Sequence, residues 1–232
     1  MNFYANWPSI PQYRPPYYSS DEFYPYAYQA PFIQPAAPFV RNEADAPQLS
    51  DSRQTEDELN QTFRTLWEQH VAWTRMLIIS IASGLPDEAA VTERLLRNAP
   101  DMAAVFRRYY GGRVASEFNR LFTEHLVLAA QLVKAAKAGN SKAVAEAERK
   151  WYANADEIAA FLSRINPNWP KPVLQKMLHE HLRLTKAEAV QRLSQNYKAD
   201  IATYDQIEKQ ALEMADAFTE GIVKQFPHKF KK

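Results

Sequence analysis

From residue 55 onward the apolar positions follow helical spacing, and no stretch alternates apolar and polar residues as a β-strand would. The pattern is clearest around His70, His125 and His181. Each has large apolar residues three or four positions before it and an apolar residue three positions after it. Residues at that spacing share one face of a helix. The three histidines are therefore predicted to point into the core of an all-α protein.

Capping and helix-breaking residues divide this region into an antiparallel bundle of three helical hairpins. Thr55 opens the first helix with a capping-box pattern, and Gly84 ends it. Asn98 restarts the chain in the same direction after a short helix, and Gly111 and Gly112 stop it. Helices are then expected over 113–138, 141–165 and about 173–220. The last stretch is expected to break near 194–196, or alternatively at the capping pattern of 185–188.

Helix rise predicts that the three histidines lie at one height of the bundle. Each stands 13 residues before the expected end of its helix, at Ser83, Ala138 or Ser194, which is about 20 Å along the axis. The recurrence indicates an internal repeat of one helical hairpin. Whether the rings also face one another depends on helix rotation, which the spacing leaves open.

The returning helices supply acids at matching heights. Asp101 is expected opposite His70, and Asp156 opposite His125. On the third return leg, height favours Asp205 or Glu208, whereas a looser sequence phrase favours the region of Asn196, Asp200 and Tyr204. Height is the better criterion because it follows from helix rise. Glu124 and Glu180 stand beside histidines and are further candidates, although both could lie only at the edge of the core.

These residues make up a candidate metal site. Three-histidine sites and mixed histidine and carboxylate sites suit zinc, iron or manganese in helical bundles. The Glu-x-x-His pairs of di-iron bundles are missing from the sequence. The competing interpretation is three separate His–Asp pairs in the core. The predicted ligands are His70, His125, His181, Asp101, Asp156, Asp205, Glu208, Glu124 and Glu180.

Residues 1–53 differ in kind from the bundle domain predicted for 54–227 and from the basic tail at 228–232. They hold nine of the 15 prolines and seven of the 12 tyrosines, and no glycine. Proline at this density predicts an extended or disordered arm. Tyrosine and phenylalanine spaced by proline suit docking on a protein partner or self-association.

Composition narrows the function classes. The 28 basic and 27 acidic residues nearly balance, which argues against nucleic acid as a partner. The absence of cysteine excludes disulfides and thiol catalysis. The sequence shows no signal peptide and no span long enough for a membrane, so we expect a cytoplasmic protein. Phosphate-binding glycine loops and a nucleophile elbow are also missing.

Several segments resemble a family of small all-helical proteins from spore-forming Gram-positive bacteria. They are 68–75, 94–98, 121–126, 151–156 and 211–216, and the resemblance extends over nearly all of 55–227. Members have been labelled acetylglutamate kinase, but this chain lacks the glycine-rich αβ pattern that such a kinase needs. The resemblance implies a sporulating host. By analogy, the arm is similar to those of spore-coat proteins.

The sequence thus favours a non-enzymatic structural or interaction protein, with a helical bundle and an adhesive aromatic arm. The alternative is a metal-binding bundle that holds iron, zinc or manganese through histidines on three helices. A weaker third hypothesis is a small-molecule binding bundle that uses the tryptophans.

Overall fold

The computed structural model describes residues 54–231, and within that range the regular elements are helical apart from one isolated bridge between Gln54 and Phe230. The prediction of an all-α fold is confirmed. The arm predicted for residues 1–53 lies outside the described residues. The helices are α1 (Glu56–Ser83), α2 (Glu88–Leu96), α3 (Asn98–Lys137), α4 (Ser141–Ile165), α5 (Lys171–Leu193) and α6 (Tyr197–Gln225), followed by a 3₁₀ turn at Pro227–Lys229.

The helix α3 reverses direction at Gly111, as the sequence predicts. Gly111 has φ 82° and ψ 176°, which is outside the helical region and is conformational space that glycine enters at little cost. The rings of Phe106 and Phe118 stack at 4.2 Å between centroids. In a continuous helix, 12 residues would separate them by about 18 Å. The two halves of α3 therefore belong to successive hairpins.

Three hairpins result, and each joins helices that run in opposite directions. The first pairs α1 with α2 and the first half of α3, the second pairs the rest of α3 with α4, and the third pairs α5 with α6. The helix α1 also packs along α6, which closes the bundle. The largest fully buried side chains are Trp67, Trp151, Phe63, Phe106 and Phe118.

Local sequence signals set the helix ends. The Thr55 hydroxyl accepts from the Glu58 N–H at 3.1 Å, and the Glu58 carboxylate accepts from the Thr55 N–H at 2.8 Å. This reciprocal pair is the predicted capping box. The break between α5 and α6 falls at Gln195, which has φ 60°. The alternative break at 185–188 does not occur, because α5 runs through it.

The C-terminal segment, which the sequence sets apart as a basic tail, packs on the bundle through Phe230. Phe230 is 5% exposed, and its ring stacks on that of Tyr109 at 5.9 Å. The Lys231 N–H donates to the Gln54 carbonyl at 3.3 Å. The packed region therefore extends beyond residue 227, where the sequence set the bundle boundary.

One close approach requires a glycine. The Trp169 indole N–H donates to the Ala217 carbonyl at 2.9 Å, which lays the ring over Gly221. A Cβ at that glycine would lie 1.9 Å from the indole nitrogen. Among the described helices, none has the length and apolar character needed to cross a bilayer.

Candidate functional site

The three histidines are all buried, on α1, α3 and α5, and two of them meet. His70, His125 and His181 are each 2% exposed. The Nε2 atoms of His70 and His181 lie 3.2 Å apart. This contact between residues 111 positions apart fits the common height predicted from helix rise.

His125 packs against an aromatic ring instead of joining the contact between the two Nε2 atoms. Its ring stacks on Phe122, with centroids 5.9 Å apart and planes 3° from parallel, and Phe122 in turn lies 5.3 Å from His70. An aromatic ring therefore packs against both histidines. Across residues 54–231, no group of three or more histidine, aspartate or glutamate side chains is arranged to hold a metal ion.

The buried partners of the histidines are amides, not the predicted acids. His125 Nδ1 lies 3.0 Å from Asn154 Oδ1, and the Asn154 amide donates to the Leu121 carbonyl at 3.1 Å. His181 Nδ1 lies 3.0 Å from Gln210 Oε1, and the Gln210 amide donates to the Met177 carbonyl at 2.9 Å. In both cases the amide binds the ring and the carbonyl four residues before it.

Asn98 occupies the corresponding position beside His70. Its amide donates to the Leu66 carbonyl at 2.9 Å, again four residues before the histidine. The Asn98 side chain is close enough to raise the pKa of His70 by hydrogen bonding. However, neither His70 Nδ1 nor Asn98 Oδ1 has a hydrogen bond of ordinary geometry, and both atoms are buried.

The prediction that acids pair with the core histidines is therefore wrong, because the acids lie outward with other partners. Asp156 binds the surface residue His179 at 2.7 Å. Glu124 and Glu180 form ion pairs with arginines on their own helices, and Asp101 pairs with Arg97, which lies just before α3. Asp205 and Glu208 are exposed on α6. Carboxylates remain in water because a buried charge is costly unless it is fully paired.

Burial keeps the histidine rings neutral. It lowers the pKa of His125 from 6.5 to about 3 and that of His181 to about 4, and the charge of His181 further lowers the pKa of His125. The pKa of His70 is lowered well below 6.5 by burial first, and then by the charges of His181 and His125. The chemistry available at neutral pH is that of uncharged imidazoles, whose bare nitrogens can accept a proton or bind a metal.

A second buried polar cluster was missed in the sequence. The Arg75 guanidinium donates to Glu188 at 2.5 Å and to Asp200 at 2.7 Å, and both acids are nearly inaccessible. Burial raises the pKa of Glu188 to about 7, against the opposing effect of Arg75. A usable signal was present, since Glu188 lies seven residues after His181 and so shares its helix face.

Comparison with known proteins adds no relative. No protein-family profile matches the sequence, and neither curated proteins nor solved structures give a significant match.

Proposed function

We propose that this chain is a non-enzymatic structural or interaction protein, in which the helical bundle carries residues 1–53 as an adhesive arm. The observation that carries the proposal is the contrast in composition. The first 53 residues contain 12 of the 29 aromatic residues and nine of the 15 prolines. Aromatic rings spaced by proline offer apolar contact area at a low entropic cost of ordering.

Gln54, the first residue after the arm, is hydrogen bonded to the bundle. The Gln54 side-chain oxygen accepts from the Arg108 guanidinium at 2.7 Å and from the Tyr109 hydroxyl at 3.1 Å. Gln54 therefore has a defined position at the end of the bundle where Tyr109 and Phe230 stack. This fixed origin supports a role in presenting the arm to a partner.

A surface pocket lies toward the same end of the bundle. It encloses about 140 Å³ beside Trp169, whose ring lies 6.1 Å from that of Tyr110. Its walls combine apolar residues such as Leu174 with polar ones such as Asn168 and Glu220. Val173 stands at its lip and is 54% exposed. We assign this pocket to an aromatic side chain of residues 1–53 from a second copy of the chain.

Deleting residues 1–53 tests the role of the arm. The shortened chain should keep its helical circular dichroism and lose self-association, as measured by sedimentation velocity. Val173→Asp in the full chain should weaken association, whereas Ile201→Asp, at an equally exposed position on α6, should not. Unchanged association after the deletion contradicts the proposal. Equal effects of the two substitutions contradict the pocket assignment alone.

Two further proposals complete this account. The hairpins are copies of one repeat, which is supported by the three histidine and amide pairs 28, 29 and 29 residues apart. The protein acts in the cytoplasm of a sporulating bacterium, in association with the spore, an assignment that rests on the family resemblance and the composition of the arm.

A second candidate function, a metal-binding bundle, is favoured by the 3.2 Å separation of His70 Nε2 and His181 Nε2. Neutral imidazole nitrogens are common ligands of zinc, iron and copper. The candidate acids lie away from this contact, so the metal proposal narrows to the histidines. Retention of metal by the purified full chain would support it.

A further inference from the structure

Hydrogen bonding fixes which nitrogen carries the hydrogen in two of the three histidines. The amide nitrogens of Asn154 and Gln210 donate to helix carbonyls, so their oxygens are the atoms that face the rings. Those oxygens can only accept. The Nδ1 atoms of His125 and His181, each 3.0 Å away, must therefore be protonated. In the neutral rings, Nε2 is left as a bare acceptor.

The same reasoning exposes a conflict at His70. Its Nε2 atom faces the bare Nε2 of His181 at 3.2 Å. If His70 donates there, its Nδ1 is bare and faces the Asn98 oxygen, which is also an acceptor. Both of those atoms lack an ordinary hydrogen bond. If the hydrogen moves to Nδ1, Asn98 gains its donor but two bare Nε2 atoms face each other.

One bound cation removes the conflict. We propose that His70 and His181 form a buried site for a single transition-metal ion, which is bound by their facing Nε2 atoms. The ion accepts both lone pairs, and the His70 hydrogen then moves to Nδ1 and binds Asn98. All three histidines would then have the same arrangement, with Nδ1–H directed at an amide oxygen.

The observed distance fits this assignment. Zinc-to-imidazole bonds are about 2.0–2.1 Å, so two ligands at a tetrahedral angle have nitrogens about 3.3–3.4 Å apart. The separation here is 3.2 Å. The hydrogen bond from Gln210 to His181 is the kind of outer contact that orients metal-binding histidines. Asn98 becomes the equivalent positioning residue for His70.

The chemical class follows from the ligands. Neutral imidazoles suit Zn²⁺, Cu²⁺, Ni²⁺ or Fe²⁺, and they do not suit Mg²⁺ or Ca²⁺. Because no third histidine or carboxylate of residues 54–231 completes the group, the other coordination positions require water or a small ligand that enters the core beside these rings, which are each 2% exposed. This site rests on the metal-binding candidate function and specifies it further. It is independent of the arm, so it can fail without affecting the interaction role.

Zinc binding by the full chain tests the site. The protein is refolded with Zn²⁺ or with EDTA, dialysed, and assayed for bound zinc and for its thermal midpoint. We expect one ion per chain and a higher midpoint with zinc. His70→Gln and His181→Gln should abolish both effects. His179→Gln removes a partly exposed surface imidazole that binds Asp156, and it should bind zinc as the unsubstituted chain does.

Zinc affinity tests whether Asn98 positions the His70 ring. Asn98→Ala should weaken zinc affinity about 10- to 100-fold, the usual effect of removing an outer hydrogen bond to a ligand. Asn154→Ala, beside His125, should leave the affinity unchanged. Equal loss in both variants would contradict the two-histidine site.

A spectroscopic measurement on the unsubstituted chain avoids any dependence on the folding of variants. Zinc should shift the ¹⁵N resonances of Nε2 in His70 and His181 and leave that of His125 in place. Absence of bound zinc, binding that survives loss of either ligand, or a zinc spectrum identical to the EDTA spectrum overturns the proposal. A pair that takes up a proton at acid pH and no zinc overturns it as well.

Discussion

Replacing Asn154 by alanine should destabilise the metal-free protein considerably more than the same change at Asn98. Asn154 makes two buried hydrogen bonds, one with His125 and one to the Leu121 carbonyl. Each hydrogen bond contributes about 1 kcal/mol to stability, and leaving the buried His125 N–H without an acceptor costs about 1–3 kcal/mol more. Asn98 makes one ordinary bond, and its oxygen is already unpaired. The expected losses are about 3–5 kcal/mol for Asn154→Ala and about 1–2 kcal/mol for Asn98→Ala.

Urea unfolding in EDTA at pH 7.5 measures this difference directly. The two substitutions remove the same side-chain volume from positions that are 3% and 0% exposed, so the contributions of packing nearly cancel. A gap of about 2 kcal/mol corresponds to about 4–8 °C in thermal midpoint for a chain of this size. Equal losses, or a larger loss at Asn98, would refute the hydrogen-bond assignment. With saturating zinc, the gap should narrow because Asn98 would then bind the His70 ring.

Acid should destabilise the fold, since the three core histidines have pKa values lowered below 6.5 and the unfolded chain takes up protons first. Stability present at neutral pH is lost from about pH 6.5 down to about 4, by about 1.4 kcal/mol per pH unit for each histidine. Glu188, whose pKa is raised to about 7, takes up its proton in the folded state before it does so in the unfolded chain, which stabilises the fold as the pH falls. This gain offsets the loss from one histidine, so urea titrations should show a net slope near 3 kcal/mol per pH unit. Gly221→Ala should cost about 1–3 kcal/mol or more by forcing a Cβ into the neighbouring indole, whereas Gly112→Ala, with 3.7 Å to its nearest neighbour, should change stability by about 0.5 kcal/mol or less. Arg75→Ala leaves the buried Glu188 without its cation and Asp200 with only Arg192, 3.3 Å away, and should cost about 3–5 kcal/mol, against about 0–1 kcal/mol for the exposed Arg120→Ala. Thermal melts of both pairs check these values, and equal losses within either pair would contradict the contacts assigned to it.

Most of the fold could be predicted because its signals are local. The capping box at Thr55, the reversal at Gly111 and the cap at Asn196 each depend on neighbours within a few residues. The shared height of His70 and His181 also followed, because helix rise is nearly constant. The helix ends and the shared height of the histidines are consequences of backbone geometry.

The partners of the histidines could not be predicted by height alone. Asp156 lies two residues beyond Asn154, which turns it about 200° around α4 and into solvent. A neutral amide also suits the core better than a carboxylate, because it donates to a carbonyl and accepts from an imidazole without burying a charge. The recurring interval of 28 or 29 residues from histidine to amide was a signal that could have identified the pairs.

The contact between histidine rings could not be predicted from the sequence, for a different reason. It depends on the rotation of each helix about its axis, and that rotation is fixed by packing between distant residues such as Trp67 and Phe218. The rotation brings His70 and His181 into contact and leaves Phe122 packed against both His70 and His125. Spacing along one helix carries no information about these contacts.

The protonation of the three imidazoles in the metal-free full chain tests the central claim most directly. Long-range ¹H–¹⁵N correlation spectra at neutral pH distinguish a protonated Nδ1 from a protonated Nε2 in each ring. Burial predicts neutral rings. The hydrogen bonds place the hydrogen on Nδ1 in His125 and His181, and on Nε2 in His70, where it keeps the contact with His181 Nε2 as a hydrogen bond. Charged rings, or the hydrogen on Nε2 in His125 or His181, would contradict the account of the core.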